Sequence, residues 1–574
     1  VTQPPNPWNE LSERLLASVA IKVQLLPSHH ALMVQRKKAI EQHLQRNESP
    51  LKDRIRIFYQ QGSVAIGATI KAKFRDEGFD IDIIVELDVD EIKPAEALDL
   101  LYEAMRGNPG SRYYDCTERQ TRCVTVHYKD GMHLDLSPSI LLDPHDLRKS
   151  YIFHSKLEES RSEDKYILTN SYAFAEYYNE RCPVDQQFIE EYSNRVRAFD
   201  QMLLQEADSV PVPDHFTYVG GKSAVTVALQ LLKRNRNLQW RQRQGRMPAS
   251  VMLSCLALEV AEAGRSISNN LKITATHVLK RLLDARNEGE LIFVENPRCQ
   301  GDCFTDRWPK TPDDQNLMIK DMQKFISQLD IVLDEQRSFK DRTMKLKAMF
   351  GEVVGQQVER EFEDEIGKRV KSGEHYLGKT GGILATPTSA SATPAAPPNT
   401  FYRAKNLALL RGHSVPPLPL QAQVSAMAQR WPQFQVSRPG DQLVIWSGDL
   451  QGLERSFHIT IEYGTPKQDD QEMYRLMPVV RVQCPSLVLN SEAEEESPLP
   501  HVYPDKDNDY RLSPLSPLCL FDPRADEWNH SMKIANTTIP WTARWLACYE
   551  IWEATGRWVG GGHHDGPEEA NHDA

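Results

Sequence analysis

Residues 386–400 read TPTSASATPAAPPNT, and a segment of that composition has no apolar face to pack. Ser, Thr, Ala and Pro dominate it, so it reads as an interdomain linker, and the chain on either side must build its own core. At about 150 residues per domain, roughly three or four folded units are expected from the full length. Apolar residues make up 40% and charged residues 26%, an ordinary balance for a soluble globular protein.

Several classes are disfavoured at once. No apolar run approaches the roughly 20 residues that a membrane span requires. The start, residues 1–12, is polar and Pro-rich and lacks the basic and apolar blocks of a signal peptide. A cytoplasmic protein with no membrane partner is therefore expected. Nine cysteines without framework spacing suit free thiols, one of which could be reactive. The formal charge of −12 argues against a surface that coats nucleic acid, so no obligate DNA partner is expected. A local basic pocket for triphosphates remains compatible with it.

Periodicity predicts an amphipathic helical stretch over residues 8–46, interrupted at Pro27. Strands follow at 55–59, 79–87, 124–128 and 133–136. The pattern is then mostly helical to about residue 373, with examples at 187–206, 224–234, 250–263 and 313–334. After the linker, a helix near 419–430 precedes strands at 442–446, 456–463 and 479–483, and a helix closes at about 541–555.

The chemistry-bearing residues of the first half cluster early. Gln61-Gly62-Ser63 follows the first strand, and Asp80 and Asp82 lie in FDIDIIVEL. Side chains alternate along a strand, so both carboxylates share one face while Ile81 and Ile83 pack on the other. Asp135, in HLDLSPSI, is a third acid on a strand. Three carboxylates converging from neighbouring strands can hold two divalent cations, Mg2+ or Mn2+. Gly62 would let the backbone approach phosphates closely, and Ser63 can donate a hydrogen bond to them. A lone D-x-D is usually a solvated strand edge. The ordered combination of strand, Gly-Ser, D-x-D strand and later Asp strand points instead to nucleotidyl transfer. Cys299 and Cys303 in ENPRCQGDCF lack a second ligand pair nearby, so free buried cysteines are expected there rather than zinc.

With QGSVAIGATI, FDIDIIVEL, HLDLSPS, GGKSAVTVALQLLKRNR, MPASVML and ENPRCQGDCFTDRW, residues 50 to about 345 resemble the CD-NTases of CBASS antiphage operons, bacterial relatives of cyclic GMP-AMP synthase. The resemblance implies a polymerase-β-like core joined to a helical lobe, with synthesis of a cyclic di- or trinucleotide from NTPs for a downstream effector. It makes Asp80, Asp82 and Asp135 the metal ligands. It gives Gly62, Ser63, Lys222 and Ser250 to the donor phosphates, with Lys233 as a further candidate. On the plain alternative, Lys222, Lys233, Arg234 and Arg236 form a solvated helix face.

The second half carries PLPHVYP, then SPLSPLCLFDPRADEW and a Trp-rich closing helix. This is similar to the ubiquitin-conjugating-enzyme fold of the conjugating proteins encoded beside CD-NTases, an α+β domain smaller than the first. The resemblance makes Cys519 the thioester-forming residue, with Trp528 following it. It places His501 where the family has a His-Pro-Asn element, and His530 as a nearby polar partner. The usual Asn is absent here. Cys484 and Cys548 are expected in the core. By the same resemblance, the acyl donor is the CD-NTase tail, matched by Leu409-Leu410-Arg411-Gly412, with transfer onto lysines of target proteins. Gly412 continues into His413, so no free carboxylate exists there unless the chain is cut.

The expected organisation is a catalytic core with its N-terminal helix at 1–215 and a helical lobe at 216–380. A linker and tail segment at 381–418, a conjugating-enzyme-like domain at 419–562 and a disordered tail at 563–574 complete it. The alternative is a nucleotidyltransferase carrying a non-catalytic docking domain, with Cys519 incidental.

Overall fold

The computed structural model describes residue 8 and residues 10–71, 79–89, 91–143, 145, 148–156, 164–206, 221–241, 243–372, 376–377, 383–384, 393–394, 417–464, 477–489, 498–504, 512–521 and 527–560. Gly412 and the 563–574 tail lie outside the described residues. The chain divides into two compact units, residues 1–330 with 347–355, and residues 331–346 with 356–574.

The first unit opens with α1 (Leu11–Val23) and α2 (Pro27–Leu44). Pro27 does more than interrupt a helix. It occupies the first turn of α2, where its missing N–H costs nothing. Then come β1 (Ile55–Gln60), α3 (Gly62–Ala65), β2 (Asp80–Leu87), α4 (Pro94–Arg106), β3 (Thr117–Arg119), β4 (Val124–His127), β5 (His133–Leu141), β6 (Ser150–His154) and β7 (Lys165–Thr169). Helices α5 (Ser171–Arg181), α6 (Gln186–Glu206), α7 (Ala224–Trp240), α8 (Ser250–Glu259), α9 (Ile267–Asn287) and α10 (Pro312–Leu333) follow.

One mixed sheet runs β1-β2-β5-β4-β3, with β6 and β7 continuing from β5. The short strands β3, β6 and β7 lie outside the strands that periodicity predicts. Strand β2 pairs antiparallel with β1 and parallel with β5. Ile81, Ile83, Val85 and Leu87 are each at most 1% exposed and share a core with Leu98 and Leu101 of α4. A fully buried side chain of this kind contributes roughly 1.5–3 kcal/mol, and a one-residue slip would turn all four to the other face. That burial fixes which way Asp80 and Asp82 point.

Helix α7 is buried almost all round, basic residues included: Lys233, Arg234 and Arg236 are 2%, 6% and 2% exposed. The solvated-face alternative for these three is thereby overturned. Their heads are anchored to carbonyls, from Lys233 to Ala68, Arg234 to Phe350 and Arg236 to Pro248.

Helices α11 (Phe339–Phe350) and α12 (Glu352–Ser372) straddle the division, with residues 347–355 in the first unit, and in the second unit β8 (Tyr376–Leu377), β9 (Ile383–Leu384) and β10 (Thr393–Pro394) follow. The Ser/Thr/Ala/Pro stretch is therefore not wholly without structure, since β10 pairs antiparallel with β8. A two-residue pairing with proline in it is tolerable in so short a strand. Helix α13 (Leu420–Arg430), strands β11 (Gln435–Ser437), β12 (Leu443–Gln451), β13 (Ser456–Gly464) and β14 (Val479–Cys484), and α14 (Thr538–Thr555) complete the unit. The four strands form an antiparallel meander whose inner face packs Trp446, Tyr463 and Val480 against Trp528, Trp545 and Trp552. The buried carboxylate of Glu550 accepts the amides of Leu453, Glu454 and Arg455, which pins the β12–β13 turn to α14.

Candidate active site

The parallel register of β2 on β5 sets Asp82 directly opposite Asp135 and Asp80 opposite His133. Asp80 is exposed, while Asp82 and Asp135 keep only part of their surface in solvent. The Asp82 carboxyl is pushed up to about 7, first by burial, then by the charges of Asp135 and Asp80, with Lys233 opposing. Burial also raises Asp135, although the Thr125 hydroxyl donates to it at 2.6 Å and works the other way.

Gly62 begins α3 at φ +61, and a Cβ there would stand 2.6 Å from Oδ2 of Asp82. Only glycine occupies that position without displacing the carboxylate. The Ser63 hydroxyl lies 3.4 Å from that of Thr69, and the Ser63 carbonyl accepts the Ala68 amide. The Gly-Ser turn therefore stands over the paired acids.

The two lysines differ in a way their sequence positions do not reveal. Lys233 feels the charges of Asp82 and Asp80, and its ammonium donates to Ala68 O at 2.7 Å. Lys222 donates to the Gln24 side chain at 2.5 Å and is repelled by the charge of Lys233. Burial lowers each to about 7, and lowers Arg236 to about 9. Lys233 thus feels the attraction of the carboxylates. Ser250, in the first turn of α8, accepts from Arg236 at 3.1 Å. Arg236 is thereby tied to that serine. Its basic neighbourhood was visible in the sequence, but its burial was not.

Among the described residues, no three His, Cys, Asp or Glu side chains close into a ready-made metal cage. The donor chemistry nonetheless suits a hard cation, for Asp80, Asp82 and Asp135 offer only oxygen ligands and repel one another. A polar cavity of about 960 Å³, lined by Asp99, Tyr102, Arg106 and Arg119, lies on the α4 side of the sheet and takes no part in this arrangement. Cys299 is buried, and Cys303 is half-buried with its sulfur 3.4 Å from the Thr305 hydroxyl.

Residues 13–179 match the family described as the Second Messenger Oligonucleotide or Dinucleotide Synthetase domain. The cyclic dinucleotide synthase CdnG of Bradyrhizobium diazoefficiens is 33% identical over 395 residues, covering 69% of this chain and 92% of that protein. The chain belongs to the CD-NTase family. The structure of the Bradyrhizobium CD-NTase CdnG in complex with GTP superposes with a TM-score of 0.53 at 32% identity, covering 62% of this chain and 99% of that one. A c-di-GMP synthase of Roseivirga ehrenbergii is 24% identical, over 60% of this chain and 84% of its own length. This CD-NTase carries a second domain, for residues 423–565 match the family described as Type II CBASS E2 protein.

In that E2 domain, Cys519 is half-buried, Cys548 is buried and Cys484 is exposed. Cys484 thus departs from the expected core position because it is the last residue of β14, on the outer side of the meander. The Cys519 amide donates to the carbonyl of His501 at 2.8 Å. The His501 ring instead lies 4.9 Å from Trp558 and is 8% exposed. His530, expected to lie near the thiol as a polar partner, is 5% exposed, with its Nδ1 3.1 Å from the Tyr463 hydroxyl. No helix among the described residues is long and apolar enough to cross a membrane.

Proposed function

We propose that this CD-NTase joins NTPs into a cyclic di- or trinucleotide by metal-dependent nucleotidyl transfer, as a signal to an effector in antiphage defence. The observation that carries it is the Asp82–Asp135 pairing under the Gly62 turn, with Lys233 opposite. A ribose hydroxyl oxygen attacks the α-phosphorus of the donor, the bond to pyrophosphate breaks, and the hydroxyl proton leaves to solvent. Bound Mg2+ or Mn2+ would lower the pKa of that hydroxyl and neutralise charge on the triphosphate. Asp80, Asp82 and Asp135 would hold the cations. Gly62 and Ser63 would present the turn to the donor phosphates, and Lys233, Lys222 and Ser250 would bind them. Cytoplasmic NTP pools would supply the substrate. Incubation with all four NTPs and magnesium, followed by mass spectrometry, should yield a cyclic product that the Asp80→Ala, Asp82→Ala double variant cannot make. Product from that variant would overturn the assignment.

The E2 domain is read as a cysteine acyl carrier. Cys519 would take an activated carboxyl, such as an acyl adenylate or acyl thioester of the CD-NTase tail near Gly412, and pass it to a lysine of a target protein. Its partial exposure, against the burial of Cys548, supports this reading. A peptide thioester ending in Leu-Leu-Arg-Gly should acylate wild type and fail on Cys519→Ala. Equal acylation of the two would favour a docking domain instead.

A further inference from the structure

The Cys519 segment is gripped from one side by three consecutive residues. His501 has φ +51, uncommon for a non-glycine residue, and this turns its carbonyl to accept both the Cys519 amide at 2.8 Å and Trp545 Nε1–H at 2.9 Å. Val502 forms an antiparallel bridge with Leu518. The Tyr503 amide donates to the Pro517 carbonyl at 2.8 Å, and its hydroxyl reaches the Phe521 carbonyl at 2.9 Å. Residues 501–503 therefore hold the chain two residues before the cysteine, at the cysteine and two residues after it. The main-chain bonds account for the first two holds, and the last rests on the phenol. Tyr503 is 39% exposed, so its ring does not serve chiefly to fill the core.

We propose that Tyr503 is the positioning residue of the Cys519 site. Its hydroxyl fixes the Phe521 carbonyl two residues after the cysteine, so that the thiol meets an acyl carbonyl in one orientation. It would take over a fixing role at a site whose sequence lacks the Asn of the His-Pro-Asn element. The inference rests on the acyl-carrier reading of Cys519.

Tyr503→Phe keeps the ring and removes only the hydroxyl. Two reactions of the full chain read the result. In the first, iodoacetamide alkylates thiols, forming an S–C bond and releasing iodide and a proton, and peptide mass spectrometry follows each cysteine. Losing one neutral hydrogen bond should raise the Cys519 rate about two- to ten-fold, while buried Cys548 and the Tm stay as in wild type. In the second, the peptide thioester ending in Leu-Leu-Arg-Gly acylates Cys519, whose sulfur replaces the leaving thiol. Here kcat should fall by a similar factor with KM unchanged, because the peptide still binds but the thiol is no longer held.

Opposite changes in the two rates are what a positioning role requires. Unchanged rates in both reactions, or faster labelling of Cys548 alongside Cys519, would overturn the proposal. Cys484→Ala, at an exposed strand end outside these contacts, should leave both Cys519 rates intact. If wild type and Cys519→Ala acylate alike, the acyl-carrier reading falls. The alkylation arm then still decides whether Tyr503 holds the cysteine segment.

Discussion

A Cβ on Gly62 would lie 2.6 Å from the Asp82 carboxylate, at a residue whose φ of +61 already disfavours any side chain. The turn before α3 and the acid on β2 are therefore built against each other. Gly62→Ala should reduce cyclic-nucleotide synthesis by about ten-fold or more, since the left-handed conformation alone costs about 1–2 kcal/mol. The check is initial rate by chromatography of products, with Tm showing that the unit remains folded. A full rate in the Ala variant would mean that the turn does not seat the donor.

Lys233→Ala should raise KM for NTP more than it lowers kcat, because the ammonium facing Asp82 and Asp80 would bind ground-state phosphate. A charge-assisted contact implies about a ten- to hundred-fold loss in kcat/KM. Steady-state kinetics with varied NTP at fixed magnesium would measure it. An unchanged kcat/KM would remove Lys233 from the phosphate site.

Lys222 supplies a pH test. Its folded-state value of about 7 lies below the ordinary 10.5, so the unfolded chain holds that proton more tightly. The stability tied to the neutral lysine is full above pH 10.5 and is lost as pH falls toward 7. Lys222→Met removes this dependence. It should melt a few degrees higher than wild type at pH 7, with the gap closing by pH 10. Thermal melts across that range provide the check, and added NTP with magnesium should stabilise wild type more than the variant.

The cysteines of the E2 domain separate by burial. Cys548→Ala should destabilise the domain by about 1–3 kcal/mol through loss of a packed side chain, lowering the Tm, and spare acylation by the peptide thioester. Cys519→Ala should do the reverse, and Cys484→Ala, at an exposed strand end, should change neither. Calorimetry and intact-mass measurement on the three variants would sort these outcomes.

Much of the first site was legible because it is locally encoded. FDIDIIVEL states by alternation alone that Asp80 and Asp82 share a face, and the burial of Ile81 and Ile83 is the same fact from the other side. The family patterns around Gly62, Asp135 and Cys519 were likewise readable in short words of sequence. The order of strands was not, because the parallel pairing that sets Asp82 against Asp135 joins residues 53 positions apart across intervening strands and a helix.

The sequence by itself determined the residue inventory: three acids on strands, a glycine turn, a basic helix, and a cysteine between Leu518 and Leu520. Tertiary structure decided which of these meet. It buried Lys233, Arg234 and Arg236, which a helical wheel leaves free to face water, and it brought Lys233 within the influence of the acids. It presented His501 to Cys519 through a carbonyl while its ring lies beside Trp558. The physical reason is that periodicity fixes a side chain's direction about its own helix or strand. What stands in that direction depends on packing between elements distant in the chain, and that is set by the burial of the whole core.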